Sequence, residues 1–123
     1  VLVEADGSKR LPAKAHETWE PVLPPQRRRT VCVLGASAFG QTIRQAAHRP
    51  ALYAALAEVT EDTVITPELA ARVLMAEGGF DVIYVNQIDD PGFSTALTEP
   101  FARAVSCPVV VGSLHRRHWK KLR

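Results

Sequence analysis

The sequence predicts an α/β fold, a three-layer sandwich built on a mainly parallel sheet. Short apolar runs (Val31-Cys32-Val33-Leu34, Val82-Ile83-Tyr84-Val85, Pro108-Val109-Val110-Val111) alternate with segments whose apolar residues recur every three or four positions. The runs read as strands and the periodic segments as helices. Strands that are apolar throughout also belong to sheets covered on both faces.

In chain order, Val1-Leu2-Val3 opens on what reads as a buried strand over residues 1–6. Residues 7–30 follow, a long, basic, Pro-rich loop with four prolines and no sustained period. Loops of that length in a compact domain are usually functional or linkers. After the strand at 31–34, Phe39, Ile43 and Ala46 predict a helix up to His48. His48 then pairs with the negative end of the helix dipole. Pro50 restarts a helix carrying Leu52, Leu56 and Val59. Thr66-Pro67-Glu68 is a third start, with a capping hydroxyl, a proline at the first position and an acid near the positive end of the dipole. Gly78-Gly79 stop it. Residues 93–105 read as helical, with a kink or break at Pro100. The strand at 108–111 leads into a basic tail, 115–123.

With 123 residues, the chain suits one domain, which buries roughly two-thirds of its unfolded surface. An apolar content of 46% and a net charge of +2 exclude a disordered chain. No apolar stretch approaches the roughly 20 residues of a spanning helix, and none reads as a secretion signal. Two cysteines, Cys32 and Cys107, are too few for a disulfide framework and read as core residues, so a cytoplasmic location is expected. The tail holds five bases; without it, ten bases face thirteen acids. A body of that sign, with few aromatics beside its bases, disfavours nucleic acid as a partner.

In a parallel sheet, ligands bind beyond the carboxyl ends of the strands. Glu4 and Asp6 end the first run, where buried acids need a partner: a Mg²⁺ ion, or Lys9 and Arg10 nearby. Asn86-Gln87-Ile88-Asp89 resembles the Asn-Lys-x-Asp element with which nucleotide triphosphatases read guanine, with Gln87 in the lysine's place. It also reads as an ordinary turn into Asp90-Pro91-Gly92. Gly112-Ser113-Leu114 follows the next strand and can supply a contact to the base. Gly35 to Gly40 forms a glycine-bounded turn, but no Gly-x-x-x-x-Gly-Lys-Ser/Thr loop occurs. His115 and His118 have metal spacing among bases that oppose a cation.

Glu4-Ala5-Asp6-Gly7-Ser8-Lys9-Arg10-Leu11-Pro12-Ala13-Lys14-Ala15 resembles the signature of the YqeC-type family, accessory proteins of selenium-dependent molybdenum hydroxylases. Glu20-Pro21-Val22-Leu23-Pro24, His48-Arg49, Ile65-Thr66-Pro67-Glu68 and the segment from Asn86 to Asp89 fall in the family's order. The resemblance implies a nucleotide-binding sheet of the phosphate-loop kind, without its first strand and loop. It assigns Glu4 or Asp6 to Mg²⁺, Lys9, Arg10 and Lys14 to anionic groups, and Asn86, Asp89 and Ser113 to a purine base. It implies as partner the molybdenum hydroxylase or its maturation proteins. The chain departs from the family pattern at Gln87, at Ala13 and in lacking the phosphate loop. It is expected to be the C-terminal part of a longer protein, to hold Mg²⁺ and a purine nucleotide only together with the missing N-terminal part, and not to hydrolyse nucleotide alone. The alternative is a non-catalytic protein-interaction module.

Overall fold

The computed structural model describes residues 2–89 and 91–122; for residues 91–96 the description is of the backbone alone. The described residues make two sheets, four α-helices and a short 3-10 turn at Ala36–Ala38. β1 (Ala13–Lys14) and β3 (Ala47–His48) pair parallel, and the Ala15 amide extends the ladder to the His48 carbonyl at 3.2 Å. The larger sheet has the order β2 (Val31–Gly35), β4 (Val82–Asn86), β5 (Val109–Ser113), β6 (His118–Lys121). Its first three strands are parallel and β6 returns antiparallel. This mixed α/β arrangement, mostly parallel, is consistent with a three-layer sandwich.

Local chemistry sets the helices. Thr42 opens α1 (Ile43–Ala46) with a capping box: its hydroxyl accepts from the Gln45 amide, and the Gln45 side chain accepts from the Thr42 amide. Pro50 sits at the first turn of α2 (Pro50–Ala57), between Arg49 and Glu58, both in the left-handed region. Thr66 caps α3 (Pro67–Glu77), accepting from the Leu69 amide at 3.1 Å. Gly78, at φ +66, ends it where a side chain would be strained. α4 (Pro91–Ala104) contains Pro100.

The period-two alternation of the strands sorts one face from the other. Leu34, Ile83, Val85, Val109 and Val111 are buried on one face, in a core with Ile43, Tyr53, Ile65, Val73 and Phe101. Each such aliphatic side chain contributes about 1.5–3 kcal/mol by leaving water. The opposite face carries Val31 and Val33, 52% and 61% exposed, and extends to Trp119 on β6, 68% exposed.

The structure differs from the sequence reading at four places. Residues 2–6 form no strand, and Leu2 and Val3 are exposed, because no neighbouring strand takes up their backbone bonds; Val1 lies outside the described residues. The helix expected up to His48 is confined to α1, since Gly40 at φ +91 breaks the segment and the Thr42 cap restarts it. His48 is therefore a strand residue and no helix-dipole partner. Pro100 does not break α4 into two helices, the element running unbroken from Pro91 to Ala104. The loop at 7–30 contains β1, and the basic tail contains β6.

Candidate functional site

The carboxyl ends of β2, β4 and β5 are tied together by side chains from the turns that follow them. The Asn86 Oδ1 accepts the Leu114 amide at 3.0 Å, and Ile88 N–H donates to the Gly112 carbonyl at 3.0 Å. The fully buried Ser113 hydroxyl donates to Asp89 Oδ1 and accepts the Arg116 amide at 3.0 Å. Gln87, held at φ +72, turns its Oε1 toward Ser37, accepting from the amide at 3.1 Å and the hydroxyl at 2.7 Å. A Cβ on Gly35 would fall 2.6 Å from Gln87 Oε1 and 2.8 Å from Pro12 Cβ, so the close approach requires glycine.

Pro12 brings the long loop to this same edge, its carbonyl accepting the Gly35 amide at 2.8 Å. Lys9 and Arg10 lie three and two positions earlier, both exposed and both at positive φ. A turn closed by Ser8, whose carbonyl accepts the Leu11 amide and whose hydroxyl donates to the Leu11 carbonyl, precedes the anchor. Asn86, Asp89 and Ser113 thus meet at one edge, with the Lys9–Arg10 turn tethered beside it.

Asp6 and Lys14 are placed elsewhere, in a second cluster. Lys14 Nζ lies 2.7 Å from Asp6 Oδ2 and 3.0 Å from Glu20 Oε2, and donates to the Gly7 carbonyl at 2.7 Å. His16 bridges two acids, with Nε2 2.8 Å from Asp6 Oδ2 and Nδ1 2.7 Å from Glu77 Oε2. Arg49 Nε contacts Glu20 Oε1 at 2.8 Å, and its guanidinium lies 5.9 Å from the Trp19 ring centroid. Hydrogen bonds from Arg49, then Lys14, then the Glu17 amide hold the Glu20 carboxyl down at about 2. The Glu77 hydrogen bond raises His16 above its ordinary value, against partial burial. Burial works against a charged Lys14, yet Asp6 and Glu20 together raise its pKa.

These placements bear on the groups that the resemblance implies. Glu4 is exposed, and a Mg²⁺ ion at Asp6 would have to displace Lys14 and His16. Among the described residues, no group of three or more His, Cys, Asp or Glu side chains is arranged to hold a metal ion. Glu4 and Asp6 do not fit a directly bound Mg²⁺ in this arrangement. Burial pushes the Cys32 thiol up to about 12, which keeps it un-ionised and unreactive. Sequence reasoning missed Ser37, Gln41, Arg49 and Glu77. Ser37 had a signal, since it lies in the glycine-bounded turn after β2, and Gln41 bonds back to its carbonyl at 2.5 Å. Glu77 had none, because it joins His16 from 61 positions away.

Fold and edge define an α/β protein whose mainly parallel sheet gathers polar side chains beyond its carboxyl ends. The family model described as YqeC protein matches residues 1–51. The chain is also similar to the Escherichia coli (strain K12) protein described as "Uncharacterized protein YqeC", 32% identical over 82 residues. That match covers 65% of this chain and 32% of the relative's length. Both matches are to YqeC proteins, and the chain spans about a third of the curated relative's length. No solved structure matches it. No helix among the described residues is long and apolar enough to cross a membrane.

Proposed function

We propose that the chain binds a purine nucleotide, or a smaller anion, at the carboxyl edge of its sheet, as part of a cytoplasmic accessory protein in molybdenum hydroxylase maturation. The observation behind this reading is the shared edge: Asp89 and Ser113 meet there, and the Lys9–Arg10 turn is tethered there through Pro12 and Gly35. Asp89 is the base reader. Its carboxylate exchanges the Ser113 hydroxyl for N–H groups on the base edge, a charge-assisted bond stronger than the one it replaces. Asn86 is a positioning residue that holds the turn after β5 in place. Lys9 and Arg10 meet phosphate oxygens. Lys14 is held by Asp6 and Glu20 and takes no direct part. No catalytic step is assigned, because no lysine-bearing phosphate loop is present to stabilise charge at a phosphoryl group.

Titration with GTP, ATP and inorganic phosphate, read by calorimetry and by Trp19 and Trp119 fluorescence, tests the reading. Nucleotide should bind, and Asp89→Asn should weaken it by about tenfold or more, the equivalent of one lost charge-assisted hydrogen bond. Inorganic phosphate should respond to Lys9→Ala with Arg10→Ala and ignore Asp89→Asn. Absence of any binding, or nucleotide affinity unchanged in Asp89→Asn, contradicts it. A second reading, a protein-interaction module for the hydroxylase or its maturation proteins, is favoured by one feature, the exposed Trp119 on a strand with Lys120 and Lys121. The same titration separates the two, since a purely protein-docking module shows no nucleotide heat.

A further inference from the structure

We propose that Lys14 is a positioning residue, whose ammonium closes the loop of residues 7–13 and so presents the Lys9–Arg10 turn as an anion-binding tip at the carboxyl edge of the sheet. Its role rests on the anion reading of that edge given above; its geometry does not. Lys14 Nζ reaches back across the loop and donates to the Gly7 carbonyl at 2.7 Å, seven positions earlier. The same nitrogen lies 2.7 Å from Asp6 Oδ2, and Glu20 Oε2 takes it from another side at 3.0 Å. His16 Nε2 contacts that Asp6 oxygen at 2.8 Å and fixes this foot of the loop. The other limb is held by the pairing of Lys14 with His48 and by the Pro12 carbonyl on the Gly35 amide. The Lys14 side chain is only 8% exposed. Taking an ion pair out of water costs much of what the attraction returns, so stability alone gives little reason for a lysine here.

The loop so closed carries strain at its tip. The Leu11 amide donates to the Ser8 carbonyl at 3.0 Å, so Ser8 to Leu11 form a turn with Lys9 and Arg10 at its centre. Their φ values, +52 and +62, are the paired positive values of a mirror-image turn, where glycine and asparagine are the easy occupants. A longer side chain is strained there, and such strain persists only where surrounding contacts over-determine the backbone. Lys14 supplies that constraint from below and Pro12 from beside. Two long cations occupy the turn instead of the easy residues, and both are exposed. Among the described residues, no carboxylate pairs with either of them. Two adjacent, unpaired cations on a fixed backbone are suited to a phosphate or a similar oxyanion.

Amide hydrogen exchange without ligand, followed by titration at one fixed pH, tests the clamp. In Lys14→Met the Leu11 and Gly35 amides should exchange about tenfold faster or more, as expected when the loop opens locally. Affinity for inorganic phosphate should fall by about tenfold or more, while guanosine, which has no phosphate, binds as it does to the parent. Asp6→Asn removes charge from the foot of the loop and leaves Lys14 in place, and it should speed the same two amides. Circular dichroism unchanged in either variant shows that the fold is kept. Leu11 exchange at the parent rate in both variants overturns the proposal. So does guanosine affinity that falls together with phosphate affinity, since that makes Lys14 a support of the whole fold. A parent that binds no phosphate would end the anion reading of the edge, and the ligand-free exchange then decides the clamp by itself.

Discussion

His16 meets two carboxylates at once, and only the doubly protonated ring donates to both Asp6 and Glu77. Its pKa is raised, chiefly by the Glu77 bond, so the folded state holds the proton more tightly than the unfolded chain does. The stabilisation is complete below the ordinary value of 6.5 and is lost as pH rises through the elevated folded value. The urea midpoint should therefore fall across that window, and His16→Gln should both lower the midpoint, by about 1–2 kcal/mol of stability, and flatten the fall. A variant with the same pH slope as the parent would show that the bridge contributes nothing. Lys14 and Glu20 pair within the same loop, six positions apart. Their pairing is local and open to reading as a loop charge meeting a nearby acid. His16 with Glu77 was not, because the contact exists only once α3 is docked.

Elements with a chemical start signal were readable, and elements defined only by pairing were not. Thr66-Pro67-Glu68 places α3 because cap, proline and dipole act within four residues. Pro50 places the start of α2 in the same way. β1 and β3, two residues each, exist only as partners of one another, and neither carries a run long enough to read. β6 hid in a basic tail for the same reason, its apolar content being a single tryptophan. Its attachment is close: a Cβ on Gly112 would fall 2.7 Å from Trp119 Cα and also against the His118 carbonyl. Gly112→Ala should detach β6 while β2, β4 and β5 stay folded. Amides of β6 should then lose exchange protection and Trp119 should report the change. Protection kept in β6 would mean the strand slides to a new register.

Across the whole molecule, the parallel order of β2, β4 and β5 brings the turns after all three strands to one edge, which is why residues far apart in sequence converge there. That convergence was legible as a rule about parallel sheets. The expected strand at the start of the chain is absent over residues 2–6, since an apolar run makes a strand only if a neighbour accepts its backbone bonds. The acidic body and basic tail also acquire a geometry, the tail's lysines guarding the β6 edge while the β2 edge stands open. The central claim is a ligand at the carboxyl edge, and amide chemical shifts recorded on adding GTP test it most directly. The account predicts shifts concentrated at Gly35, Ser37, Gln87, Asp89 and Leu114, with His16 and β6 undisturbed. Unchanged spectra, or shifts confined to β6 or to Val31 and Val33, would contradict it.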